Sequence, residues 1–404
     1  MSEVLFSTYR RLINELEVST YRYLYDSFEL SARLVGLIGP RGVGKTTLLL
    51  QYIRDRVERV EDAFYFSADH FFFNATTLFD FVQDLYELEG VKLVFIDEIH
   101  KYPNWSQELK NIYDAFPRLK LVFSGSSSLD LIGGTHDLSR RGVLYHLRGL
   151  SFREYLNFTT AAEHRVLDLA SLMEDPPKIA AQFAQIPRLR AHFRKYLEAG
   201  YYPFVFEQSD RYYEQLGRVI DKTIFEDVAQ HYNLKTANLH YFKKILYFLS
   251  TIPPGQLNTH KLAGNLRIDD KTTLHYLHIL QSTGLVRLVH SAQRGNRLLR
   301  NPEKGYLDNT SLLHAICSEL GQQVDRGTVR ELFFLSALQD AGERVFYSKE
   351  GGDFRVGEVV FEIGGQNKKR AQIRQMEDRA FVVKDDTLTG GQRMLPLHLF
   401  GFLY

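Results

Sequence analysis

Apolar and polar positions along the chain change period several times, and each change marks an element. A short apolar run in "SARLVGLIG" rises to Gly39 and reads as a buried strand. After it, "TLLLQYIRDRV" has the mixed spacing of an amphipathic helix. "AFYFSAD", residues 63–69, predicts a second strand, and Leu78, Phe81, Leu85 and Leu88 set the register of the helix behind it. In "VKLVFIDEIH", residues 91–100, five of the first six residues are apolar, as expected of a strand covered on both faces. "LKLVFSGSS", residues 119–127, repeats that signature. Strands of this kind separated by helical stretches predict a parallel sheet.

From residue 151 to about 235 the pattern is helical with irregular joints, and Gly200 and Pro203 turn the chain at one of them. "NLHYFKKILYFLS" is a helix stopped by Pro253 and Pro254; the short "LNTHKLAGNL" follows. Leu274, Leu277 and Leu280 then recur at three, placing one face of a further helix inward up to Gly284. "LVRLVH" predicts a strand, Gly295 a turn, and "RLLR" the return strand. Three helices followed by a two-strand wing is the order of a winged helix-turn-helix. The last part opens with the helix "TVRELFFLSALQDAG" and runs strand, turn, acid, strand, acid, helix, the layout of a restriction-endonuclease-like core. The expected division is therefore 1–150, an α/β phosphate-loop domain; 151–235, a helical lid or connector; 236–315, the winged helix; and 316–404, a degenerate endonuclease-like α/β domain.

At 404 residues the chain exceeds one ordinary hydrophobic core, which agrees with several domains. Fifty basic against 49 acidic residues give no global attraction to nucleic acid, so any such contact must come from a local patch. The single cysteine, Cys317, excludes an intrachain disulfide and a thiolate-rich zinc site, and its apolar surroundings predict burial. No basic start followed by a long apolar run is seen, and the expected setting is cytoplasmic, with no membrane role. Aromatic residues reach 13%, enough to fill cores and leave some at faces.

The chemistry concentrates in "GPRGVGKTT". Gly39, Pro40, Arg41, Gly42, Val43, Gly44, Lys45, Thr46 and Thr47 form the spacing of a phosphate cradle, in which glycines let backbone amides converge on an anion. Lys45 would reach the β/γ phosphates of ATP, and Thr46 would hold Mg²⁺ through its hydroxyl. Asp97, at the end of its strand, is the second expected magnesium ligand, and Glu98 the expected activator of water. Ser124, or its neighbour Ser126, is a candidate for orienting water or touching the γ-phosphate, and a helix cap is the competing role. Arg140 or Arg141 would serve as an arginine presented to a neighbouring subunit's nucleotide, with a solvated surface pair as the alternative.

On "GPRGVGKTT", "LVFIDEIHKYPNW", "LVFSGSSSLDL" and "LSRRGVLYHLRGLSFREYL" the sequence resembles prokaryotic AAA+ ATPases of the archaeal-ATPase-like group, whose C-terminal half is domain of unknown function 4143. The resemblance implies characteristic places for Pro103 and Trp105, makes Arg141 the family arginine, and implies proline where this chain has Gly149. It also implies self-association in which neighbouring subunits share sites, as such relatives do in rings. Relatives with the endonuclease-like layout imply metal-gathering acids at Glu331, Asp353 and Glu362. Their lysine falls on Gly364 here, so nuclease activity requires Lys368 or Lys369 to swing back. Three functions compete for the C-terminal half. DNA contact would use wing residues Arg287, Arg294, Arg297 and Arg300 and the basic patch Lys368, Lys369 and Arg370. Against it, the recognition helix opens with Asp269 and Asp270. The alternatives are an ATP-dependent protein-interaction switch and a metal-dependent nuclease.

Overall fold

A computed structural model describes the chain except for Met1, Ser19, residues 127–140, Gln208, Asn233, residues 293–300, Glu350 and residues 369–378. Arg140, Arg294, Arg297, Arg300, Lys369 and Arg370 lie outside the described residues. The chain forms two compact units, Met1–Arg148 and Gly149–Tyr404.

Unit 1 is built on a five-stranded, wholly parallel sheet. Its strands are β1 (Leu34–Ile38), β2 (Ala63–Ser67), β3 (Leu93–Asp97), β4 (Lys120–Gly125) and β5 (Gly142–His146). They lie in the order β2-β3-β4-β1-β5. Helix α1 (Ser2–Asn14) precedes β1, and α2 (Lys45–Arg56), α3 (Leu78–Glu87) and α4 (Trp105–Ala115) fill the connections. The apolar runs are buried as a covered parallel sheet demands: all five β1 residues are buried, with Phe64, Phe66, Phe95 and Ile96 in the same core. In α3, Leu78, Phe81 and Leu85 pack inward, whereas Leu88, expected on that face, is 76% exposed because the helix has already ended. Trp105 opens α4 and packs near Phe123 of β4.

Unit 2 opens with α5 (Phe152–Thr160), capped by a reciprocal box in which Ser151 accepts from the Glu154 amide and Glu154 from the Ser151 amide. Gly149, where the resemblance implies proline, lies against Tyr201: a Cβ there would fall 2.2 Å from its ring. Next come α6 (Leu169–Glu174), α7 (Pro176–Phe183), α8 (Leu189–Ala199), α9 (Tyr212–Lys222) and a π-helical turn, Thr223–Val228. Then follow α10 (Thr236–Thr251), α11 (Thr259–Leu266) and α12 (Asp270–Ser282). Strand β6 (Val286–Val289) pairs antiparallel with β7 (Lys304–Leu307). The "RLLR" of 297–300, expected to form the return strand, lies outside the described residues.

Helix α13 (Thr310–Glu319) buries Cys317, and α14 (Arg326–Asp340) packs on a second sheet. That sheet runs β12-β11-β10-β9-β8, with β8 (Val345–Tyr347), β9 (Phe354–Val356), β10 (Val359–Gly364), β11 (Ala380–Lys384) and β12 (Met394–Pro396). Phe334 of α14 meets Phe354, Phe361 and Phe400, which fixes helix to sheet. No helix among the described residues is long and apolar enough to cross a membrane.

Candidate nucleotide site and the buried charges of unit 2

The carboxyl ends of β1, β3 and β4 lie side by side, where open α/β sheets place their ligands. The pairing of Ser67 with Asp97, Ile96 with Phe123 and Leu37 with Ser124 aligns these ends across four strands. Residues 39–44 join β1 to α2. Gly42 (φ 80°) and Gly44 (φ 94°) hold left-handed backbone that a side chain would resist. Gly44 is also the N-cap of α2 and supplies no side-chain cap, leaving the first-turn amides for another acceptor. Lys45 is buried and curls over the loop, donating to the carbonyls of Gly39 (3.0 Å) and Pro40 (3.1 Å). A phosphate oxygen in the loop would compete with these carbonyls for the same ammonium.

Asp97 is the hub. Thr46 Oγ1 donates to its Oδ2 at 2.6 Å and Tyr65 Oη to the same oxygen at 2.7 Å. Ser124 Oγ donates to Oδ1, which also accepts from the Glu98 amide at 3.1 Å. The Glu98 amide additionally reaches Ser124 Oγ at 3.2 Å. Burial, then the neighbouring Asp97, pushes the Tyr65 phenol far above its ordinary value, so it stays a donor. Ser124 is fully buried and donates to Asp97. Glu98 is in the left-handed region at φ 50°, and its Oε2 lies 3.4 Å from His100 Nε2.

Two arginines singled out by the sequence have acidic partners within the fold. Arg141 precedes β5, whose Gly142 pairs with Leu34 at the start of β1, so it sits at the sheet edge away from the loop. There it makes a two-pronged bond to Asp114 at 2.9 and 3.1 Å. A strand of five residues separates it from its own phosphate loop, about 17 Å. Reaching a neighbour's nucleotide would require breaking the Asp114 pair. Arg287, assigned to DNA phosphate, is instead 7% exposed. It pairs with Asp308 (3.1 Å) and Asp340 (2.9 Å), also donating to Gln339. A guanidinium so enclosed has no face left for a nucleic acid.

The acids of unit 2 are also internally neutralised. Lys304 Nζ lies 2.7 Å from Glu331 and 3.8 Å from Asp353, and Tyr306 donates to Glu331 as well. The ammonium thus stands between two of the three carboxylates expected to gather metal. Glu362 pairs with Lys368 at 3.2 Å. Gly364 makes that approach possible, since a Cβ on it would lie 2.6 Å from the Lys368 side chain. The lysine does swing back onto Glu362. Among the described residues no group of three or more His, Cys, Asp or Glu could hold a metal ion.

Three contributors to the first site were not found by sequence reasoning. Tyr65 carried a signal: it shares the strand face of Ser67 by period-two spacing, at the end that meets the acids. His100 carried none, since only the tight turn Ile99–Lys101 brings it back to Glu98. Arg22 is buried and donates to the carbonyls of Val43 in the loop and Arg148 (2.7 Å), far apart in sequence.

Residues 31–156 match the family model described as an AAA domain, and residues 190–331 match domain of unknown function DUF8612. The C-terminal match is therefore not to domain 4143, which the sequence resemblance implied. No curated protein matches the sequence. Among solved structures, the chain is similar to AMPPCP-bound DnaA from Aquifex aeolicus at 15% identity, over 69% of this chain and 87% of that one, with a TM-score of 0.26. It is also similar to PCH-2 of C. elegans at 20% identity, over 39% of this chain, with a TM-score of 0.24; it spans 45% of that protein's length. TM-scores of this size establish no shared topology. The AAA match, the parallel sheet and the loop place an AAA-type nucleotide-binding domain in unit 1.

Proposed function

We propose that unit 1 binds ATP with Mg²⁺ and hydrolyses it. The observation that carries this reading is the 2.6 Å bond between Thr46, first hydroxyl of the loop helix, and Asp97, last residue of β3. Two oxygens from distant segments meet beside an uncapped helix end and a buried ammonium. This donor set fits magnesium, which takes one or two protein oxygens and completes its shell with phosphates and water. The bound ion would neutralise charge on the phosphates. Lys45 and the amides of residues 41–46 bind the triphosphate, Thr46 and Asp97 hold the ion, and Ser124 and Tyr65 orient Asp97. Glu98 accepts the proton of the attacking water.

Lys45→Ala should abolish ATP uptake in calorimetry and lower phosphate release by about 100-fold or more. Glu98→Gln should retain uptake and slow release by about 100-fold. Normal turnover in the first variant would overturn the site.

For unit 2, the order α10, α11, α12, β6, β7 supports a winged-helix reading, and ATP-driven repositioning of a DNA-associated half is the role it would serve. With Arg287 internal, this reading relies on Arg294, Arg297 and Arg300 and on the exposed Lys271 of α12. Duplex binding at two salt concentrations, with and without ATP, tests it. Absence of duplex binding would favour the protein-interaction switch.

A further inference from the structure

We propose that His100 is the positioning residue of Glu98: its imidazole, held from behind by the backbone amide of Ser126, sets the direction of the Glu98 carboxylate. The inference rests on the hydrolytic reading above and extends it to the control of the proton acceptor.

Glu98 has a backbone conformation that an ordinary side chain resists, φ 50°, and a residue kept there is held by its surroundings. Those surroundings come from the end of β4. Ser124 Oγ accepts the Glu98 amide at 3.2 Å, which fixes the main chain. Two residues on, the Ser126 amide donates to His100 Nδ1 at 3.4 Å. An imidazole that accepts at Nδ1 carries its proton on Nε2, the nitrogen 3.4 Å from Glu98 Oε2. The ring is 1% exposed at its side chain, so packing confines it, while the Glu98 side chain is 22% exposed. The turn Ile99–Lys101, closed by the Lys101 amide on the Glu98 carbonyl at 2.9 Å, returns the ring to the acid that precedes it.

Main chain and side chain of Glu98 are therefore both referenced to one strand end. The Nε2–Oε2 approach is of ion-pair length and not aligned as a hydrogen bond. Catalytic contacts of this kind commonly tighten only when the reacting groups are in place. A shift of the β4 end would move the amide, the ring and the carboxylate together, which makes His100 the point where a displacement of that strand reaches the chemistry.

The test compares ATP turnover and ATP affinity of the full chain with His100→Ala, His100→Asn and His100→Gln. A glutamine amide nitrogen reaches about as far as Nε2, whereas an asparagine amide reaches only Nδ1. Alanine and asparagine should lower kcat by about 10- to 100-fold, with KM within about threefold, and glutamine should recover most of the loss. Equal loss in the asparagine and glutamine variants, or affinity falling in parallel with kcat, would show a packing role and overturn the proposal. So would unchanged kcat in the alanine variant beside an active wild type. If alanine fails to fold, as read by its melting transition, the glutamine–asparagine contrast decides alone. A wild type that binds MgATP without releasing phosphate would overturn the hydrolytic reading itself, and this proposal with it.

Discussion

Asp97 is a buried carboxylate of unit 1 and Glu331 a half-buried one of unit 2, and different groups meet them. Around Asp97 stand three hydroxyls and an amide. Around Glu331 stand the Lys304 ammonium and the Tyr306 hydroxyl. The same contrast separates Glu98, beside an imidazole, from Glu362, beside Lys368, and from Asp308 and Asp340, which share Arg287. Hydroxyls orient a carboxylate while leaving its charge to be answered from outside, whereas an internal cation answers it in place. In unit 1 Asp97 is met by hydroxyls and an amide, with no cation bonded to it among the described residues. In unit 2 the acids are tied into the fold by neighbouring cations.

The contrast can be broken by removing a cation. Arg287→Met would strand Asp308 and Asp340 in the interior and should lower the stability of unit 2 by about 3–5 kcal/mol in urea unfolding. Asp97→Asn, which removes an outward-answered charge, should cost less than about 1 kcal/mol. Comparable losses for the two would erase the distinction. His398 sharpens the same rule, because burial without a counter-charge pushes its pKa down to about 3. The folded chain keeps it neutral while the unfolded chain protonates near the ordinary value, so its contribution is complete above about pH 6.5 and is lost as pH falls toward 3. By about pH 4.5 the wild type should have lost about 2–3 kcal/mol that His398→Phe does not lose. Identical pH profiles would show that the ring charges in the fold. Tyr65→Phe, which removes one of three hydroxyls from Asp97, should cost about 0.5 kcal/mol in thermal unfolding. A cost near zero would mean that Thr46 and Ser124 suffice to hold the acid.

Much of unit 1 was legible because its signals are local. The apolar runs of β1, β3 and β4 are continuous, as strands covered on both faces must be, and the glycine spacing of residues 39–44 specifies a loop that few other structures use. The positions of Lys45, Thr46, Asp97 and Glu98 follow from that loop and from the ends of those strands. Arg287 was misassigned although its surroundings held a sign: it sits inside the run "LVRLVH", with apolar residues on both sides, and all of β6 is buried.

Sequence alone determined the sheet-building runs, the phosphate loop and the acids after the third strand, because each depends on neighbours within a few residues. Only the tertiary structure decided which charges are spent inside the fold. Arg287 meets Asp340 across 53 positions, and Lys304 meets Glu331 across 27. Nothing in residue order encodes such a meeting. Whether a charge faces water or a buried partner is settled when helices and strands close over it and strip its hydration, so that only an ion pair or a hydrogen-bonding neighbour can replace the lost solvent.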